Sequence, residues 1–173
     1  LGRITALRSP RLALHPAGIR RGARFLLKQA SMTEILFYTF ADNPLDVARR
    51  VAAKAYSQGR QVLISAPDTA TADAIDRLLW TTPALSFVPH CRDSDALADA
   101  TPVLIGANPD ALHSADVMIN LHHEQPPAFA RFERLVEIVS PDEKGRELGR
   151  ERYRFYQARG YDLKTHDLRQ HAG

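Results

Sequence analysis

Short apolar runs alternate with longer amphipathic stretches from Glu34 onward. Residues 34–40 (EILFYTF) predict a strand, and residues 43–58 a helix with Pro44 at its first position, Asp46 in its first turn and Gly59 as its stop. Residues 61–66 (QVLISA) are a continuous apolar run, the pattern of a strand buried on both faces, and residues 68–80 follow as a helix with Ala72, Ile75, Leu78 and Leu79 on one side. Residues 81–102 read as irregular, because Pro83 and Pro89 disfavour helix. Strands are predicted at 102–106 (PVLIG) and 116–121 (DVMINL), joined by a turn or short helix at 109–114. A helix at 127–134, a strand at 135–139 and a C-terminal helix within 141–163 complete the order. The fold class expected is α/β: a single domain with a mainly parallel sheet flanked by helices, a topology like that of nucleotide-binding folds.

That topology makes phosphate motifs the first candidate chemistry. The chain has neither G-x-x-x-x-G-K-[ST] nor a G-x-G-x-x-G between a strand and a helix. Its first strand-to-helix connection, TFADNP, holds no glycine that would let a pyrophosphate approach the backbone, and SAPDTAT after the second strand holds none either. A conventional nucleotide site is therefore not expected. His122 and His123 are adjacent, so on a strand end they point to opposite sides, and His90 beside Cys91 has the same geometry. A metal site assembled from His90, His113 and His122 has no support in their spacing. Ser65 lacks the G-x-S-x-G elbow of a nucleophile, and Cys91 reads as a small, semi-buried thiol. No catalytic residue, cofactor or metal is expected.

Composition sets the size of the answer: 173 residues, 45% of them apolar, suffice for one packed domain. No apolar run reaches the 18 residues of a membrane span, and the single Cys91 cannot form an intramolecular disulfide. The formal charge of +3 misleads until the chain is divided. Residues 1–31 carry Arg3, Arg8, Arg11, Arg20, Arg21, Arg24 and Lys28 without one acid, leaving 16 basic against 20 acidic residues beyond them. The body is therefore net acidic and lacks the field of a general nucleic-acid binder. The tail is broken by Pro10, Pro16, Gly18 and Gly22 and is read as a disordered or non-native extension, with residues 32–173 as the domain; residues 24–30 could form a short helix. A transit peptide shares the tail's composition, and a basic arm that binds single-stranded DNA shares its charge.

Two stretches stand out from this background. On the C-terminal helix, Arg146, Arg150, Tyr153 and Gln157 fall within about 60° of one another, Arg154 lies further round, and Leu148 and Phe155 form the side expected to face inward. An arginine stripe with a tyrosine in it suits an acidic peptide. Its ordinary alternative is a solvated surface in which Glu143, Glu147 and Glu151 pair with the arginines three residues on, and Gly149 costs that helix about 1 kcal/mol relative to Ala. In the irregular stretch, Trp80, Leu85, Phe87, Val88 and Pro89 concentrate large apolar groups, either as anchors of a lid over the sheet edge or as a protein-binding patch.

LLWTTPALSFVPH at 78–90, the strand DVMINL and RELGRERYRFYQARGYDL at 146–163 resemble, in order and spacing, the chi subunit family of the bacterial DNA polymerase III holoenzyme. The resemblance runs from about Met32 to Asp167. It implies a non-catalytic, cytoplasmic replisome component with a nucleotide-binding-like fold and no nucleotide. It implies a bridge between the clamp loader, through the psi subunit, and the acidic C-terminal tail of single-stranded DNA-binding protein, so that nucleic acid is met only indirectly. Some relatives also join a repair helicase through the psi surface. Carried over by position, the tail-binding residues are Arg146, Arg150, Tyr153 and Arg154, and the psi-binding residues are Trp80, Phe87, Val88, Pro89 and His90. The alternatives left beside this are a small nucleotide-using α/β enzyme and a direct single-stranded DNA binder acting through the basic tail.

Overall fold

The computed structural model describes residues 32–81, 87–112 and 114–171. The readings of residues 1–31, and those of Pro83, Leu85 and His113, fall outside them. Seven strands form one all-parallel sheet: β1 (Glu34–Thr39), β2 (Val62–Ser65), β3 (His90–Arg92), β4 (Val103–Ile105), β5 (Val117–Asn120), β6 (Arg134–Ile138) and β7 (Asp162–Asp167), in the order β3-β4-β2-β5-β6-β1-β7.

The helices begin and end where local chemistry says they should. In α1 (Pro44–Ser57) the Asn43 side chain accepts from the Asp46 N–H at 3.1 Å, and past the C-cap Gln58 the chain turns through Gly59 at φ 71°. In α2 (Thr69–Trp80) Asp68 accepts from the Thr71 N–H at 2.7 Å. Both lie on one face of the sheet, where Ala48, Ala52, Ile75 and Leu79 pack on Leu36, Ile64, Ile105, Ile119 and Val136. Strand alternation sends the neighbouring residues Ile35, Phe37, Leu63, Leu104, Met118 and Leu135 to the other face, which α3 (Glu143–Ala158) covers together with Phe129 and Phe132.

Three predicted elements differ. The irregular stretch contains β3, a three-residue edge strand too short to show a period, entered directly from Pro89. The helix expected at 127–134 is a single 3-10 turn, Phe129–Arg131, because the Glu133 and Arg134 N–H groups are drawn into the sheet by Ala115 O and Asp116 O at 2.9 and 3.0 Å. The C-terminal helix stops at Ala158, and residues 162–163, read as its end, open β7. That strand is largely exposed at the sheet edge, and DLKTHD carries too few apolar residues to announce it.

The inward line of α3 also differs from expectation. Leu148 and Phe155 are half-buried, whereas Gly149, Arg152 and Tyr156 are buried. Arg152 Nε donates to Glu137 Oε2 at 2.8 Å and its Nη1 to His123 O at 2.6 Å, while Tyr156 donates to Glu137 Oε1 at 2.7 Å. Asn120, the register partner of Glu137 on β5, donates to the same carboxylate at 3.1 Å and accepts from the His122 N–H at 3.0 Å. Burial pushes the Glu137 carboxyl upward against the pull of Arg152, Tyr156 and Asn120. The Tyr156 hydroxyl is held well above its usual range by burial and by that carboxylate.

Removing one member of a buried ion pair leaves the other uncompensated, a cost of about 3–5 kcal/mol. Arg152→Met is therefore expected to lower the unfolding free energy by that amount, read in urea as a lower midpoint with the slope unchanged. Adding Glu137→Gln, which removes the orphaned charge and keeps an acceptor for Tyr156, is expected to restore part of the loss.

Candidate functional site

The first half of α3 carries the arginine stripe, and its start is held by Asp142, which accepts from the Gly145 N–H at 2.8 Å. Bonds from the Ser140 hydroxyl and the Gly145 amide hold the Asp142 carboxyl below its usual range. Because α3 follows β6, its positive N-terminal end sits at the C-terminal ends of the parallel strands, where open α/β sheets hold their ligands. Gly149 faces the segment just after β6: a Cβ there would lie 2.8 and 2.9 Å from the two γ-carbons of Val139. The glycine that weakens the helix in isolation is what lets it approach the sheet.

That close approach shapes a recess of about 220 Å³ lined by Phe37, Thr39, Phe40, Val139, Arg146, Gly149, Arg150, Tyr153 and Thr165. Its floor is apolar, with the Tyr153 ring packed on Phe37 at a centroid distance of 5.3 Å. Arg146 and Arg150 are exposed residues of the same lining. Among the described residues no ion pair joins Arg146, Arg150 or Arg154 to Glu143, Glu147 or Glu151, so the helical pairing expected of a solvated surface is not made. An apolar cavity of about 150 Å³ accepts a benzene ring, while sites for drug-sized ligands run from about 300 Å³ upward. The recess therefore fits one ring with anions beside it better than a nucleotide.

Sequence reasoning reached one side of this recess. Arg146, Arg150 and Tyr153 line it; Arg154 is exposed and outside the lining, and Gln157 is exposed further along the helix. The opposite wall comes from β1, β7 and the residue after β6, and no local pattern links Phe37, Phe40, Val139 and Thr165 to the arginines. Phe40 follows β1 at φ 59°, a left-handed conformation rare for a bulky residue that only the structure reveals, and such strain costs about 1–3 kcal/mol.

The second candidate patch lies at the opposite edge of the sheet. Trp80 ends α2 with 60% of its surface exposed, and Phe87 is 59% exposed, with ring centroids 5.5 Å apart. Neither is the core anchor that a lid would require. Val88 is buried in the core beneath them and Pro89 is half-buried. His90 is buried 5.1 Å from the Trp80 ring; its Nδ1 donates to Val88 O at 2.7 Å, and its Nε2 lies 3.4 Å from Asp76 Oδ1. Val88 and His90 therefore support the patch from below, and Trp80 and Phe87 present it.

The remaining candidates stay apart. Among the described residues no group of three or more His, Cys, Asp and Glu side chains is arranged to hold a metal, and no helix is long and apolar enough to cross a membrane. Burial holds the half-buried His122 imidazole below its usual range, countered by Glu124.

Fold and recess define a class: a parallel α/β domain with an apolar-floored concavity at the strand C-terminal ends, beside two exposed arginines. The family model described as DNA polymerase III chi subunit, HolC, matches residues 32–164, and the chain belongs to that family. It is 36% identical over 142 residues to the DNA polymerase III subunit chi of Pseudomonas aeruginosa, across 79% of this chain and 98% of that protein. It is similar to the same subunit of Haemophilus influenzae at 31% over 137 residues, covering 76% and 95%, and of Escherichia coli at 33% over 117 residues, covering 66% and 79%.

Gly149→Ala sets the two roles of this glycine against each other. Helix propensity alone would raise stability by about 1 kcal/mol. The stiff Val139 side chain leaves no room, so the expected result is a lower thermal midpoint and weaker binding of any ligand in the recess.

Proposed function

We propose that this domain is a non-catalytic accessory subunit of DNA polymerase III in DNA replication, holding the acidic C-terminal tail of single-stranded DNA-binding protein in the α3 recess and the psi subunit on the Trp80–Phe87 face. The observation that carries this reading is the apolar recess with Arg146 and Arg150 beside it. A tail of aspartates ending in phenylalanine needs an apolar seat for its ring and guanidinium groups for its carboxylates. Arg154, outside the lining, can meet only aspartates further from the end.

The placement of the two surfaces supports a bridging role. β7 and β3 are the two edges of the seven-stranded sheet, and at about 4.8 Å per strand the edges lie ~29 Å apart. The recess is at the strand C-terminal ends, while Trp80 closes a helix that returns toward the strand N-terminal ends. Two partners so placed do not compete for space. An exposed Trp–Phe pair over a buried support is the composition of an interface hot spot.

Titration with a peptide copying the tail is expected to give micromolar binding that weakens with added salt and falls about tenfold with Arg150→Ala. Equal affinity for the peptide lacking its terminal phenylalanine would overturn the assignment of the recess. The second surface is tested separately: Trp80→Ala with Phe87→Ala is expected to abolish co-purification with psi and leave tail binding unchanged. Loss of both activities together would show that the two surfaces are not independent.

A further inference from the structure

We propose that Arg169 is a positioning residue of the recess: stacked on Phe40 and clamped by Asp167, it holds the Phe40 ring as the wall that selects an aromatic end group. The inference deepens the tail-binding reading and rests on it. Alternation along β1 would send Phe40 to the α1 side with Leu36 and Tyr38. At φ 59° the chain leaves that alternation, and Phe40 instead lines the recess with Phe37 and Thr39. The turn is tied down on both sides of it, since the Val139 N–H donates to Tyr38 O at 2.8 Å and the Ala41 N–H donates to Val139 O at 3.0 Å.

A ring held in a strained backbone needs something to keep it there. The Arg169 guanidinium carbon lies 3.5 Å from the Phe40 ring centroid, a cation–π stack. Its Nε and Nη2 donate to Asp167 at 3.0 and 2.6 Å, and its backbone N–H donates to the same carboxylate at 3.0 Å. Asp167 is the last residue of β7, in register with Thr39 of β1. The clamp therefore hangs from the strand that forms one side of the recess. With its fork engaged by a carboxylate, Arg169 has little charge to offer a ligand, unlike Arg150. Its effect passes through the ring, so it governs which end group is accepted rather than how strongly anions are attracted.

The two kinds of effect separate in a titration of the full chain with two acidic peptides, one ending in phenylalanine and one in alanine, at several salt concentrations. Wild type is expected to prefer the phenylalanine peptide by at least about tenfold. Arg169→Ala is expected to shrink that preference about threefold to tenfold with the salt slope unchanged, and Arg169→Lys, which keeps a cation over the ring, to retain most of it. Phe40→Leu, which keeps apolar bulk without a ring face, is expected to show the same loss as Arg169→Ala. Arg150→Ala is expected to weaken both peptides and flatten the salt dependence while sparing the ratio. An Arg169→Ala variant that keeps the wild-type ratio, or lowers the salt slope instead, overturns this inference and leaves the tail reading intact. A wild type that does not distinguish the two peptides overturns both.

Discussion

One fully buried carboxylate, that of Glu137, sets the position of the helix on which the recess depends. Glu137, at the end of β6, has no exposed surface and is met by Arg152 and Tyr156 from α3 and by Asn120 from β5. A charge so placed is tolerated only when its lone pairs are filled and a counter-charge lies against it. The sheet contributes one of those partners, and α3 contributes the others from two successive turns. The rotation and height of α3 on the sheet are thereby determined together: a helix turned by one residue would take the Arg152 guanidinium and the Tyr156 hydroxyl away from the carboxylate and leave it Asn120 alone.

The recess follows from that constraint. With Arg152 and Tyr156 pointing in, Gly149 falls against Val139, and that close approach of helix to sheet shapes the recess that Phe37, Phe40 and Tyr153 line. Arg146 and Arg150 are carried on the flank of the helix, where the solvent screens them and, among the described residues, no glutamate forms an ion pair with them. Two classes of arginine thus alternate along one segment. Arg152 is buried and serves the fold; Arg146 and Arg150 are exposed and are available to a ligand.

The parallel order, the absence of phosphate motifs, both long N-terminal helices and the stripe residues were legible from periodicity and composition, because each is a local property repeated over several residues. The elements that escaped are those whose identity is borrowed from neighbours. β3 and β7 are strands because β4 and β1 lie beside them, and residues 127–134 are not a helix because the sheet claims the amides of Glu133 and Arg134. The same reason hid Arg152. In RERYR nothing local distinguishes the arginine that is buried from those that are not, since the difference is Glu137, fifteen positions earlier on another element.

By itself, then, the sequence determined the class of fold, the family to which the chain is similar, and the arginines and tyrosine that share one face of a helix. Tertiary structure decided which arginine is spent on the core, which glycine is required rather than merely tolerated, and that Phe40 and Arg169 stand across from the stripe. Helical and strand periodicities are carried by near neighbours and survive in one dimension. A recess is a relation between elements far apart in the chain, and it exists only once a buried charge has chosen how they pack.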